Sequence, residues 1–340
     1  MMVAMATRRV RWYPAVAHPF FFTLPPEASH RVASSLLGLP LPWARLGGAT
    51  GDPALETDLA GTTVRNPIGL AAGFDKACRH LDVLGRLGFG YVVGGTITRA
   101  ARPGNPSPRI ARSRRHRSMV NAMGLPNPGA EVAASTLRRR PPGPSPRFVS
   151  LADEALDDAV ASFELLEPHA DGIELNASCP NVSWGRDRDN EAHLRELVAA
   201  FRRRTSKPLF VKLPPFVSDT EREVVLALAG IAQDAGADGL TCSNSRLVGD
   251  PRLARGRGGL SGRALWPHTP RIVADVRSAA GPAIAINACG GIFRADDVAV
   301  CLEAGATTVQ IYSALIYQGP GVVGELTRGL ADRTTVLRRR

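Results

Sequence analysis

Apolar runs and polar punctuation alternate along most of the chain. From about residue 60, short apolar stretches recur at 66–72, 90–96, 147–152, 171–176, 208–212, 238–243, 283–287 and 307–312. Each predicts a strand, and each is followed by a stretch that reads as a helix. Ala235-Gly236-Ala237 and Ala304-Gly305-Ala306 stop the preceding helices and lead directly into strands. Eight βα units over roughly 250 residues is the arithmetic of an α/β (β/α)8 TIM barrel. A doubly wound parallel sheet is the alternative architecture. Arg138–Pro146 forms a Pro/Arg connector before the third strand, and no short internal repeat is present.

The first 48 residues follow a different pattern. Arg8, Arg9 and Arg11 precede Trp12, Tyr13 and the cluster Pro19-Phe20-Phe21-Phe22. Leu24-Pro25-Pro26-Glu27 then opens a helix running to about Leu37, with proline near its start. Aromatics beside arginines on short amphipathic pieces suit a segment lying in a membrane interface. The plainer alternative is a cap packed on the main domain. No run reaches the roughly 18–20 apolar residues needed to span a bilayer. The chain therefore divides into an amphipathic segment, 1–48, and a barrel, 49–340.

Composition narrows the class without choosing a function. The 340 residues are 44% hydrophobic and 21% charged, ordinary for a globular protein with a sizeable core. Five cysteines (Cys78, Cys179, Cys242, Cys289, Cys301) show no CxxC and no metal-ligand spacing with histidine. With no secretory signal, that pattern implies a reducing cytosol and no metal site. The net charge of +11 is carried almost wholly by arginine, lysine occurring only at Lys76, Lys207 and Lys212. A lysine kept in such a background can be needed for its compact ammonium, although a GC-rich genome also favours arginine. The basic balance permits an anionic membrane, nucleic acid or an anionic substrate, and selects none.

In a (β/α)8 barrel the chemistry sits at the C-terminal ends of the strands. The first strand ends Ala71-Ala72-Gly73-Phe74-Asp75-Lys76, where small residues admit a planar cofactor and Lys76 can face an anion. The second ends Gly94-Gly95-Thr96, the fourth at Asn176, the fifth at Lys212 and the sixth at Ser243-Asn244-Ser245. Cys179 follows the fourth strand, bracketed by Asn176 and Asn181 and fixed by Pro180. A thiol has an ordinary pKa of about 8.5, so it can act as a base once partly ionised. A small buried cysteine is the bland alternative. Gly258-Gly259-Leu260-Ser261-Gly262 and Gly290-Gly291-Ile292 read as glycine-rich turns, and Tyr312-Ser313 closes the last strand before another helix. Amides in such turns and at helix starts bind phosphate, and the last two strands carry that site in this fold. A phosphorylated cofactor is the reading. No GxGxxG follows the first strand, which argues against a Rossmann dinucleotide site.

Taken together, Asn66–Lys76, Arg102–Arg109, Asn121–Asn127, Gly258–Gly262 and Val309–Ser313 resemble the motifs of the dihydroorotate dehydrogenase family over nearly the whole chain. The resemblance implies a TIM barrel carrying FMN that oxidises dihydroorotate to orotate in pyrimidine synthesis. Matched by motif, it implies FMN contacts from Ala72, Gly73, Lys76, Thr96, Ser150, Asn176, Lys212, Ser243, Gly262, Gly291, Tyr312 and Ser313. It implies substrate contacts from Lys76, Asn121, Met123, Gly124, Asn176, Asn181, Asn244 and Ser245, with Cys179 as the catalytic base. An amide cage plus one lysine suits a ring bearing imide and carboxylate groups.

The chain also departs from the family pattern. Its N-terminal segment resembles the membrane-associated, quinone-reducing class, and Arg112 matches an arginine lining that class's quinone tunnel. That class normally uses serine as base, whereas Cys179 matches the soluble class, as does Asn121–Gly129. Ser150 stands where an asparagine is usual near the flavin, and Asn287-Ala288-Cys289 replaces a glycine-containing lead into the Gly-Gly turn. The loop Ser113-Arg114-Arg115-His116-Arg117-Ser118 is unusually basic, and a solvated loop is its simplest meaning. The implied enzyme passes electrons to quinone from the inner face of the cell membrane, as a cytoplasmic peripheral protein without nucleic-acid partners. The alternatives are a specialised or resistance paralogue oxidising a related cyclic amide, a flavoenzyme like tRNA dihydrouridine synthase, and a barrel retained as a binding scaffold. About 25 residues after the last strand leave little room for an RNA-binding domain.

Overall fold

The computed structural model describes residues 13–49, 51–177 and 189–338. Eight parallel strands close a barrel: β1 (Ile68–Leu70), β2 (Tyr91–Ile97), β3 (Arg147–Leu151), β4 (Gly172–Asn176), β5 (Leu209–Leu213), β6 (Gly239–Cys242), β7 (Ala285–Cys289) and β8 (Thr308–Ile311). Neighbours in sequence are neighbours in the barrel, and β8 pairs with β1 through Val309 opposite Ile68. Closure removes both sheet edges and rules out the doubly wound alternative. All eight expected strands are present, within a few residues of their expected limits.

The barrel floor is closed by rings seated over glycines. Tyr91, Phe148 and Phe210 stack edge-on in series, with centroids 5.6 and 5.8 Å apart. Each faces a glycine on the adjacent strand: Gly69, Gly172 and Gly239. A Cβ on any of these would lie 2.0–2.3 Å from the facing ring, so only glycine fits. A small antiparallel pair, Thr57–Leu59 with Thr62–Val64, plugs the floor from below with Leu59 and Val64. Outside, amphipathic helices cover the barrel. The helix Asp219–Asp234, for example, starts at a Ser218/Glu221 capping box and buries Val225, Leu228, Ala229 and Ala232.

Two features were not expected from sequence. The loops after β2 and β6 join in a four-stranded antiparallel sheet, ordered Arg246–Gly249, Arg257–Gly262, Ser118–Asn121 and Ile110–Ser113. The supposed turn Gly258–Gly262 is therefore mostly a strand. Its glycines serve close approach rather than a turn. A Cβ on Gly259 would lie 2.1 Å from Ser245 Oγ, and one on Gly258 2.5 Å from the Asn121 carbonyl. The second feature is the helix α1 (His18–Thr23), which precedes the expected helix α2 (Pro26–Leu37). The pair docks on the barrel through Glu27, whose carboxylate takes two hydrogen bonds from Arg109, at 3.0 Å from Nε and 2.9 Å from Nη2.

Candidate functional site

A single cavity of about 740 Å³ opens at the C-terminal ends of the strands and runs out beneath α1 and α2. Its inner wall is polar. Ala72, Gly73, Lys76, Thr96, Asn176, Lys212 and Ser243 come from strand ends, and Asn244 and Ser245 follow β6. The antiparallel sheet adds Asn121 and Gly262, and the segment after it adds Met123 and Gly124. Gly291, Tyr312 and Ser313 complete the side formed by β7 and β8.

Two lysines face this inner end in different settings. Lys76 Nζ donates to the Gly73 carbonyl at 2.7 Å, which points the ammonium back across the mouth. Burial pulls its pKa down to about 8, against a smaller opposing pull from Asp75. Lys212 lies deeper, 3.8 Å from Glu174 Oε1, with both side chains at most 5% exposed. Burial works against the Lys212 ammonium, but the attraction of Glu174, helped by Cys289, outweighs it and holds the pKa above its ordinary value. Glu174 in turn accepts from Thr241 Oγ1 at 2.9 Å and Gln310 Nε2 at 3.2 Å. Asn287 donates to Thr241, and Thr308 donates to Asn287. A hydrogen-bonded polar layer thus lies beneath the cavity, between it and the aromatic floor.

The amides form a second group. Asn244 Nδ2 donates to Asn176 Oδ1 at 3.4 Å, and Asn176 Nδ2 to Thr96 Oγ1 at 3.3 Å. Asn121 Nδ2 reaches the Gly259 carbonyl at 3.3 Å from the opposite wall. The phosphate-side residues meet at β7–β8. Gly291 has φ +72°, and a Cβ there would lie 2.4 Å from the Trp266 amide nitrogen. Ser313 Oγ is buried without a hydrogen-bond partner among the described residues. An orphaned hydroxyl beside a glycine turn, a lysine held as a cation and an amide wall fit a flat phosphorylated ring.

The outer end is apolar, lined by Phe21, Phe22, Leu36, Leu41, Trp43 and Leu315 among others. Arg112 is its main charge. Its guanidinium donates to the Phe21 carbonyl at 3.2 Å and the Leu24 carbonyl at 2.5 Å, and lies 4.4 Å from the centre of the Phe22 ring. Burial lowers the Arg112 pKa. His30 lies between the two ends, and burial, with the nearby Lys76 charge, lowers its pKa to about 4.

Seventeen of the residues expected in the site therefore line one cavity. Ser150 is the correction. It is fully buried one step below the wall, where its hydroxyl lies 3.1 Å from that of Thr96. It shares the inward face of β3 with Phe148, two positions earlier, and lies one layer below the cavity, where it backs the lining residue Thr96. Cys179 and Asn181 lie outside the described residues. Sequence reading missed Glu174, Gln310, His30 and Arg109. Glu174 had a signal: it is a charge within an apolar run, two positions before Asn176 and so on the same strand face. No group of three metal-ligating side chains exists among the described residues.

The comparisons with known proteins agree with this geometry. The family model described as dihydroorotate dehydrogenase matches residues 54–334. The chain is similar to the dihydroorotate dehydrogenase (quinone) of Acidovorax ebreus, at 34% identity over 94% of this chain and 98% of the relative. It is also similar to the protein of the same name from Chloroflexus aurantiacus, at 37% identity over 84% of each. Among solved structures, ligand-free dihydroorotate dehydrogenase from Eimeria tenella superposes with a TM-score of 0.80, at 29% identity over 91% of this chain and 95% of the other. The chain belongs to the dihydroorotate dehydrogenase family, a family of flavin-dependent oxidoreductases.

Proposed function

We propose that this protein binds FMN in the inner half of the cavity, oxidises dihydroorotate to orotate there, and passes the electrons to a quinone in the outer half. The observation that carries the reading is the continuity of one cavity from a polar barrel mouth to an apolar exit. When bound, FMN supplies the two-electron acceptor that joins the two reactions. Ser313 and the Gly290-Gly291 turn would hold its phosphate, Ala72 and Gly73 would admit its ring, and Thr96, Asn176, Ser243, Gly262 and Tyr312 would complete the seat. Lys212, kept charged by Glu174, would offer its cation to the polar edge of the ring.

On the substrate side, the Lys76 ammonium binds the carboxylate. Asn121, Asn176, Asn181 and Asn244 hold the ring's imide groups, while Ser245, Met123 and Gly124 close around them. Cys179 removes the proton from C5 as the C6–H bond gives up its electron pair, leaving a C5=C6 double bond. Fixed amides and Lys76 stabilise charge that develops on the ring carbonyl.

The outer end takes the quinone. Arg112 orients its polar head, and the apolar walls accept its tail. Five of the exposed large hydrophobic residues, Phe20, Val32, Leu36, Leu39 and Leu41, lie on the extension that roofs this exit. We place that extension against a membrane surface, in the manner of an interfacial helix. No helix among the described residues is long and apolar enough to cross a membrane.

The test is turnover of purified protein on dihydroorotate with quinone, fumarate or oxygen as acceptor, together with identification of the released flavin. FMN on denaturation and preference for quinone support the proposal. Release of FAD, or turnover with fumarate alone, refutes it. Oxidation of a hydantoin or dihydropyrimidine in place of dihydroorotate points to the related-ring reading, which the unusual Cys289 in the cavity wall favours.

A further inference from the structure

The basic segment singled out in the sequence is the tip of a β-hairpin between Ile110–Ser113 and Ser118–Asn121. Arg114, Arg115, His116 and Arg117 are all exposed. Some exposed arginines elsewhere are paired: Arg195 with Asp234, Arg204 with Glu164, and Arg271 with Asp219. Arg114, Arg115 and Arg117 have no carboxylate partner among the described residues; Arg114 and Arg117 instead lie over aromatic rings. Three arginines within four consecutive residues make the hairpin tip a concentrated patch of positive charge.

The hairpin is also fixed beside the apolar extension. The Arg114 guanidinium lies 5.7 Å from the centre of the Phe22 ring on α1. Tyr317 Oη donates to the Ser118 carbonyl at 2.9 Å, and its ring packs 5.1 Å from Phe22. Next along α1, Phe20 is 57% exposed. A rigid arginine tip therefore stands at the edge of the apolar surface that roofs the cavity exit.

We propose that this hairpin binds the phosphodiester headgroups of acidic phospholipids, so that the barrel itself, and not only the N-terminal extension, grips the membrane. The inference rests on the membrane placement given above and names its lipid chemistry. Arginine forks match phosphate oxygens in pairs, and basic residues beside an interfacial helix recognise anionic lipid. Such a grip fixes the orientation of the barrel, with the cavity exit held at the acyl boundary where a lipid-borne quinone arrives.

The experiment is co-sedimentation of the full-length chain with vesicles of phosphatidylcholine alone or mixed with phosphatidylglycerol, across a salt series. The expected result is a preference for the anionic vesicles that weakens with salt. Each arginine contributes about fivefold to that preference. Arg115→Gln, at a side chain with no ion pair or ring contact among the described residues, is expected to lower it by about fivefold. Arg114→Gln/Arg115→Gln/Arg117→Gln is expected to abolish most of it, while turnover with a short-chain quinone in detergent stays unchanged. Phe20→Ser is expected to weaken binding to both vesicle types alike. Equal binding of the native chain to both vesicles, or an undiminished preference in the triple variant, overturns the proposal. So does complete displacement by inorganic phosphate, which identifies a free-anion site, or a stronger attachment to duplex DNA than to vesicles. Quinone turnover in detergent is scored separately. Its loss with the vesicle preference intact rejects the acceptor assignment and leaves the lipid assignment standing.

Discussion

The inner and outer ends of the cavity share one volume but are held in place differently. At the inner end, Thr96, Asn176 and Lys212 project from strand termini, and their polar heads are fixed by partners that are themselves buried, while Lys76, in the loop after β1, is held by the Gly73 carbonyl. At the outer end, helices α1 and α2 supply apolar side chains, and a few charged contacts, Arg109 with Glu27 and Arg112 with two carbonyls, hold them against the barrel. The difference is one of tolerance. Apolar walls accept many residues of similar volume, whereas an interlocked polar layer fails when one member is removed, because its partner is left buried and unsatisfied. The two ends are therefore separable by mutation, and each substitution below acts on one of them.

The largest effect is expected at the base. Cys179→Ala should slow flavin reduction by dihydroorotate roughly 10²–10⁴-fold while flavin stays bound, as read by stopped-flow absorbance. Cys179→Ser should keep part of the rate. A wild-type rate in Cys179→Ala would remove the base from the inner end. Next comes Glu174→Ala, which leaves the Lys212 ammonium buried without its counter-charge. Destabilisation of about 3–5 kcal/mol is expected in denaturant unfolding, and Glu174→Gln should show less because it keeps the shape and one acceptor. Loss of under 1 kcal/mol would mean that the pair is not sealed from water.

A smaller effect is expected where the outer end is anchored. Glu27→Gln weakens the two-bond grip of Arg109 on α2, and the quinone KM should rise several-fold in steady-state kinetics with the dihydroorotate KM nearly unchanged. Equal changes in both would show that α2 also shapes the inner end. An effect of comparable size is expected from pH. Lys76 is charged below its pKa of about 8 and neutral above it. Orotate binding should therefore weaken as pH rises, by up to about tenfold between pH 7 and pH 9, and Lys76→Met should flatten the profile. Titration by flavin absorbance reads this without involving the base.

How far the sequence revealed these regions follows the same divide. The strands were legible because each is a compact apolar run closed by polar residues, and Gly236 and Gly305 mark the helix stops that lead into β6 and β8. The inner wall was legible because its side chains lie at those strand ends. Ser150 was misplaced because a motif match gives a position in the chain but not its depth in the barrel. The antiparallel sheet was missed because Gly258-Gly259 looks like a turn until Ser245 and Asn121 are seen pressed against it. Glu174 was overlooked because its partners Thr241 and Gln310 lie on strands 67 and 136 residues away. Helix α1 was missed because six residues, His18–Thr23, are too few to show a helical period.

The most direct test of a two-ended cavity is to measure the two half-reactions separately in the same pair of variants. Flavin reduction by dihydroorotate and flavin reoxidation by quinone are followed by stopped-flow absorbance in Lys76→Ala and Arg112→Ala. The account predicts that Lys76→Ala weakens only the reductive half, and that Arg112→Ala slows only the oxidative half, by about tenfold for a lost charged contact. Arg112→Ala slowing reduction as much as reoxidation, or reoxidation by quinone indifferent to Arg112 and to the apolar walls, would contradict it.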